Sequence, residues 1–149
     1  MAEKKQRPKG NSYYNKRAET YEKRRKRQPW WQVEQDQMAE LLAEMPDGLS
    51  VVDIPFGTGR FVADYLAKDF KVSGLDASDH MLVAAKDALG DDYEHCTCVV
   101  GDAADLPYAD GQFDMLVSTR FLRDIVTFGA AKKMLAEFAR VTRKYAILQ

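Results

Sequence analysis

Three acids and two glycines hold the chemistry of this chain. Asp53, Asp76 and Asp102 each stand at the end of an apolar run. Between the first two lies a tight loop, Pro55-Phe56-Gly57-Thr58-Gly59, with its glycines one residue apart. Without a Cβ, Gly57 and Gly59 let backbone approach a ligand and take dihedrals that other residues resist. The segment from Arg60 and Phe61 onward begins an apolar helix whose first N–H groups point back at the same spot. Acids and a glycine loop at the carboxyl ends of strands are how an α/β sheet presents a nucleotide-like ligand. A dinucleotide site would want a third glycine three residues after Gly59, where Val62 stands. An acid ahead of the glycines would also repel pyrophosphate, and Asp53 suits a ligand with a cationic end instead. Asp76, 23 residues after Asp53, offers two acceptor oxygens to a pair of ribose hydroxyls. Its other reading is a helix cap beside Ser78.

These residues need strands and helices in alternation to position them. Strands are expected at 51–54, 70–75, 95–100, 113–118 and 145–148. Helices are expected at about 60–68, 78–89 and 129–142, with Ser78 as an N-cap. Ahead of them, a charged helix over roughly 12–27 is broken by Pro29. An amphipathic helix over about 31–45 then sets Val33, Met38, Leu41, Leu42 and Met45 on one stripe. Residues 1–11 read as a disordered basic tail, and 12–149 as one domain with a helical part (12–48) and a sheet core (49–149). The pattern predicts an α/β, Rossmann-like, doubly wound and mostly parallel five-stranded sheet with N-terminal helices.

The stretch Val51-Val52-Asp53-Ile54-Pro55-Phe56-Gly57-Thr58-Gly59 resembles the first motif of the class I S-adenosylmethionine-dependent methyltransferases, small-molecule type. Pro55 stands where that family usually has a further glycine, and Phe56 where it often has a small residue. The resemblance extends to Tyr14…Ala18-Glu19-Thr20-Tyr21 near the start and Ala139-Arg140-Val141-Thr142-Arg143-Lys144-Tyr145 near the end. It implies an S-adenosylmethionine site built from Asp53, the loop 55–59, Asp76, Ala77, Met81 against the adenine, and Asp102 and Ala103 at the adenine edge. Ser118, with Thr119 and Arg120, would face the reaction centre, and Tyr14 and Tyr21 would sit on a lid. Each has a plainer reading: Met81 as core, Asp102 as a loop acid, the tyrosines as helix packing. Arg123-Asp124, where relatives often carry histidines, reads equally well as a surface ion pair, and no catalytic base is assigned. The resembled fold has two further strands in a hairpin beside the fifth, which this sequence lacks. The fifth strand is therefore expected to be an edge open to a second copy or a protein partner.

With 149 residues, 46% hydrophobic and 30% charged, the chain is sized for one core. No apolar run approaches the ~18–20 residues of a membrane helix, and a cytoplasmic address is the default expectation. Cys96 and Cys98 read as strand residues rather than a disulfide framework; with only His80 and His95 nearby, a metal site is not expected. Residues 1–27 hold eleven Lys/Arg against three Glu, a net +8, so the remainder carries −9. This basic arm, with Trp30-Trp31, could contact nucleic acid through residues 4–31. Three functions follow: methyl transfer to a small-molecule acceptor, non-catalytic S-adenosylmethionine binding in a regulatory or partner subunit, and nucleic-acid methylation through the basic arm.

Overall fold

A computed structural model describes Thr20, residues 23–122 and residues 127–149. Five strands, β1 (Ser50–Asp53), β2 (Lys71–Asp76), β3 (Cys96–Val100), β4 (Phe113–Ser118) and β5 (Thr142–Leu148), form one sheet in the order β3-β2-β1-β4-β5. Every pairing is parallel. Among the described residues, the helices α1 (Trp31–Ala43), α2 (Val62–Ala67), α3 (Asp79–Leu89) and α4 (Phe128–Val141) connect or flank them, with a 3-10 turn at Gly90–His95.

Alternation along each strand splits the core across two faces. Val51, Val72, Met115 and Val117 meet Met38 and Leu42 of α1, Phe61 with Val62 and Tyr65 of α2, and Leu82 with Ala85 of α3. Val52, Ile54, Leu75 and Leu116 meet Met134, Phe138 and Val141 of α4 on the other face. The sheet is therefore covered on both sides, as a parallel sheet requires. From residue 31 onward the expected strands and helices are all present, with ends shifted by a few residues; β5 is longer than predicted because it starts at Thr142, while the expected tail over 1–11 and most of the expected helix over 12–27 lie outside the described residues.

The α1 stripe is narrower than the sequence suggests. On α1 only Met38 and Leu42 are buried, while Val33 and Leu41 face out. On α4, Leu135 is also exposed. On α1 the i, i+4 pair Met38 and Leu42 alone fills the buried strip, whereas α4 buries Met134, Phe138 and Val141. The cysteines are half-buried rather than buried, because β3 is an edge strand paired only to β2 among the described residues.

Local chemistry sets the element ends. Ser78 Oγ accepts from Met81 N at 3.3 Å and starts α3. Thr127 Oγ1 does the same for α4 by accepting from Ala130 N at 3.2 Å. Gly90, at φ 57°, stops α3. The loop between β3 and β4 is fastened to α4: Leu106 N donates to Glu137 Oε2 at 2.7 Å, and Arg140 donates to the carbonyls of Tyr108 and Leu106. The Arg140 hydrogen bonds, with the one from Leu106 N, hold the Glu137 carboxyl down to about 2.

Candidate functional site

The order β3-β2-β1-β4-β5 reverses direction of winding between β1 and β4, and open α/β sheets bind ligands beyond the carboxyl ends of the strands at that point. Asp53, Asp76 and Ser118 end the neighbouring strands β1, β2 and β4. Asp102 follows β3, and Gly101 N donates to the Asp76 carbonyl at 3.0 Å, which brings the third acid beside the second.

Asp76 is the hinge of the arrangement. Its Oδ2 accepts from Gly57 N at 2.8 Å and its Oδ1 from Ser78 N at 2.9 Å. One carboxylate thus ties the glycine loop after β1 to the start of α3. Burial pushes its pKa up, against hydrogen bonds from the backbone of Ser78, Gly57 and Ala77. The two sequence readings of Asp76 coexist geometrically: it braces the N-terminus of α3, while Ser78 itself is the cap.

The loop holds its shape for steric reasons. Gly57 and Gly59 have φ of 57° and 71°, the left-handed region that favours glycine. A Cβ on Gly57 would meet only Met81 Cε at 3.7 Å, so Met81 lies across the loop. A Cβ on Gly59 would lie 2.5 Å from Leu89 Cδ1 and 3.2 Å from the Phe56 ring, so this glycine serves packing as well as the turn. Thr58 is buried within the loop, and Pro55, which follows a cis peptide bond, is half-buried.

Three of the expected ligand-contacting side chains are buried. Phe56 was expected at the ligand; its ring is buried over Gly74 in the apolar cluster, which leaves only its backbone at the loop. Asp53, expected to suit a ligand with a cationic end, is 3% exposed and accepts from the Tyr65 hydroxyl at 2.8 Å. Burial, outweighing the Tyr65 bond and assisted by the nearby Asp76 charge, pushes its carboxyl up to about 7. Ala103 is likewise buried, on the α4 face, leaving Asp102 as the exposed member of that pair; Asp102 Oδ1 accepts from Ala104 N at 2.8 Å. Ala77 is half-buried beside Asp76. Ser118 is wholly buried, and its Oγ has no hydrogen-bond partner. Tyr14, Tyr21 and the Arg123-Asp124 pair lie outside the described residues.

Sequence reasoning missed what stands over the crevice. Glu34 of α1 accepts from Arg60 Nη1 at 2.8 Å and from Arg120 Nε at 2.6 Å, and Arg25 Nη2 lies 3.5 Å away. Arg60 also donates to the Trp31 carbonyl at 2.7 Å and lies over the Trp31 ring, 3.6 Å from its centroid; Arg120 lies 5.9 Å from that of Trp30. Burial pushes Glu34 up, but the bonds from Arg60 and Arg120 outweigh it and the carboxyl sits below its usual value. Of the Trp30-Trp31 pair, which could stack bases, the Trp31 ring has Arg60 of the same chain against it, while Trp30 stays 49% exposed. The sequence signal was available only as an arginine directly after Gly59 and another two residues after Ser118. Among the described residues no group of three His, Cys, Asp or Glu is disposed to hold a metal, and no helix is long and apolar enough to cross a membrane.

Comparison with known proteins agrees with this fold. The chain is 36% identical over 96 residues to the demethylmenaquinone methyltransferase of Renibacterium salmoninarum, covering 64% of this chain and 38% of that protein. Against solved structures, a chain of the complex between the Haloferax volcanii Trm112 methyltransferase activator and a methyltransferase matches with a TM-score of 0.65 and 26% identity, over 92% of this chain and 57% of that one. An S-adenosyl-L-methionine-dependent methyltransferase structure from Methanococcus maripaludis has the same fold, with a TM-score of 0.66 and 23% identity, over 96% of this chain and 63% of that one. The chain spans less than half the length of the curated relatives it matches. Residues 51–145, from β1 into β5, match the family model described as a methyltransferase domain. With the parallel sheet, the switch point and the acid-and-glycine loop already in place, the chain belongs to the methyltransferase domain family.

Proposed function

We infer that this chain binds S-adenosylmethionine and transfers its methyl group to a small-molecule acceptor. The observation that carries the reading is the Asp76 carboxylate, poised at the end of β2 and bonded to the amide of Gly57. The chain's residues fit this cofactor better than a dinucleotide. Two acids within electrostatic reach of each other line the loop, a setting hostile to phosphate and favourable to a ligand carrying an ammonium and a sulfonium.

Asp76 would hold the ribose hydroxyls with its remaining lone pairs. The loop from Pro55 to Gly59 would lie against the ligand through its backbone, with Met81 and Ala77 flanking it and Asp102 with Ala103 at the adenine end. Asp53 would act through its charge from beneath the loop. Ser118 would contribute its unpaired hydroxyl near the acceptor. When bound, the cofactor supplies an electrophilic methyl on sulfur. The protein's share is proximity, alignment and exclusion of water, which together account for much of the barrier in a displacement of this type. A base is needed only for an acceptor that must lose a proton during attack, and no residue is assigned that role. The similarity to demethylmenaquinone methyltransferases supports a small organic acceptor. The domain division, a cytoplasmic setting and pairing across β5 remain part of this reading.

Calorimetric titration with S-adenosylmethionine and S-adenosylhomocysteine tests it. Micromolar binding is expected, weakened about tenfold or more by Asp76→Ala through loss of charge-assisted bonds. Absence of binding by the wild-type chain would overturn the reading.

A further inference from the structure

Two arginines flank the switch point, and both bear on one carboxylate. Arg60 follows the glycine loop directly and Arg120 lies two residues beyond the end of β4. Their side chains are 13% and 10% exposed, as is Glu34 at 10%. Among the described residues Arg60 and Arg120 share Glu34 as their one ion-pair partner, and Arg25 Nη2 lies 3.5 Å from the same carboxylate. Asp64, tied to the network through Gln35 Nε2 at 2.8 Å, forms no ion pair with either arginine among the described residues; burial pushes its carboxyl up, against the Gln35 bond and the nearby Arg60 charge. An excess buried charge is costly unless an opposite charge joins it.

The donors are arranged to accept one. A guanidinium presents five N–H groups in a planar fork that suits carboxylate and phosphate oxygens. Arg60 commits three bonds, to Glu34, Gln35 and the Trp31 carbonyl. Arg120 commits its bonds to Glu34 and Gln28. Both retain donors, and the Trp31 ring lies 3.6 Å from the Arg60 guanidinium, with the Trp30 ring 5.9 Å from that of Arg120. Arg120 is held at φ 57°, a conformation uncommon outside glycine that clusters at functional positions. Its backbone is fixed by donation from its N–H to the Gln149 carbonyl at 2.9 Å. Two residues earlier, the buried Ser118 Oγ lacks a partner.

We propose that Arg60 and Arg120, gathered by Glu34, bind an oxyanionic group, a carboxylate or phosphate, on the methyl acceptor. The inference rests on the methyl-transfer reading above. Glu34 occupies the site as an internal anion and sets its strength by competing with the ligand. The methionyl carboxylate of the cofactor offers the same chemistry from a second source.

The test titrates the full chain, saturated with S-adenosylhomocysteine, with benzoate and with inorganic phosphate at low ionic strength. Arg60→Gln and Arg120→Gln should each weaken binding of the anion about tenfold, and Glu34→Gln should tighten it about tenfold. A merely structural cluster gives the opposite: Glu34→Gln lowers the melting temperature with no gain in anion affinity, which would overturn the proposal. If the arginine variants weaken S-adenosylhomocysteine but not 5′-methylthioadenosine, which lacks the amino-acid end, the cofactor carboxylate is the ligand and the acceptor assignment falls. Anion binding that follows Arg60, Arg120 and Glu34 in a chain unable to bind S-adenosylhomocysteine would uphold the anion site and sink the methyltransferase reading alone.

Discussion

Gly74→Ala is expected to lower the stability of the fold by about 3 kcal/mol, an overpacking cost at the upper end for a single methyl. Gly74 lies in β2, buried between Asp53 of β1 and Cys98 of β3. A Cβ there would land on the Phe56 ring, 2.5 Å from its Cγ, and the ring cannot retreat because it is 3% exposed in the core. Phe56→Ala alone should cost about 3–5 kcal/mol by leaving a cavity. The two together are the informative case, since a methyl at Gly74 would project into the space the ring vacated. Urea unfolding of the four proteins should give a double variant more stable than the sum of the single losses predicts, by about 1 kcal/mol or more, as expected of residues in contact. Simple additivity would mean that Phe56 does not occupy the space above Gly74. Because Phe56 belongs to the site loop, the same experiment reports how tightly that loop is anchored to the sheet.

Asp53→Asn should stabilise the protein at neutral and alkaline pH and leave it nearly unchanged in acid. The folded-state carboxyl is raised from 3.8 to about 7, chiefly by burial. A raised acid binds its proton more tightly in the folded state, so its contribution is most favourable below its unfolded pKa. That contribution is lost progressively as pH rises from about 4 to about 7. A tenfold difference in proton affinity between the folded and unfolded chain is about 1.4 kcal/mol, so the full loss is on the order of 4 kcal/mol. The difference in unfolding free energy, Asp53→Asn minus wild type, should therefore climb across that window and level off above it. Asparagine keeps an acceptor for the Tyr65 hydroxyl, which isolates the charge from the hydrogen bond. A difference curve that stays flat between pH 4 and pH 8 would refute the account. The same charge predicts that a cationic cofactor binds more tightly as pH rises through about 7, and that this dependence disappears in the variant.

The framework was legible because its signals are local. Apolar runs bounded by Asp53, Asp76 and Gly101 marked strands whose alternation with helices implied a parallel sheet, and Ser78 showed its role as a cap from sequence alone. Less legible was what each side chain does at the end of its strand. Tyr65 falls in the helix expected over about 60–68, and nothing in the spacing indicated that its hydroxyl would find Asp53. Phe56 sat inside a motif that suggested ligand contact, yet apolar area favours burial over Gly74. The Glu34 cluster joins α1 to two loops separated by dozens of residues, and such pairing follows from tertiary packing rather than from periodicity. Val33 and Leu41 failed for a related reason: a 3.6-residue pattern says which side of a helix is apolar, not how wide a strip the sheet will cover.

The central position of β1 also bears on the order in which the chain assembles. Its pairing with β2 closes a short βαβ loop, whereas its pairing with β4 joins Val51 to Met115 and brings the Ser50 amide to Asp114 Oδ2, residues 64 apart in sequence. Closing the longer loop costs more chain entropy before any contact rewards it. The half containing β1, β2 and β3 would then be structured in the folding transition state, with β4 added afterwards. Kinetically, Val72→Ala should slow refolding, while Val117→Ala should leave refolding nearly unchanged and accelerate unfolding. A chevron in which Val117→Ala slows refolding as much as Val72→Ala would exclude this sequence of events. If the order holds, the crevice between β1 and β4 is the last part of the molecule to form and the first to open.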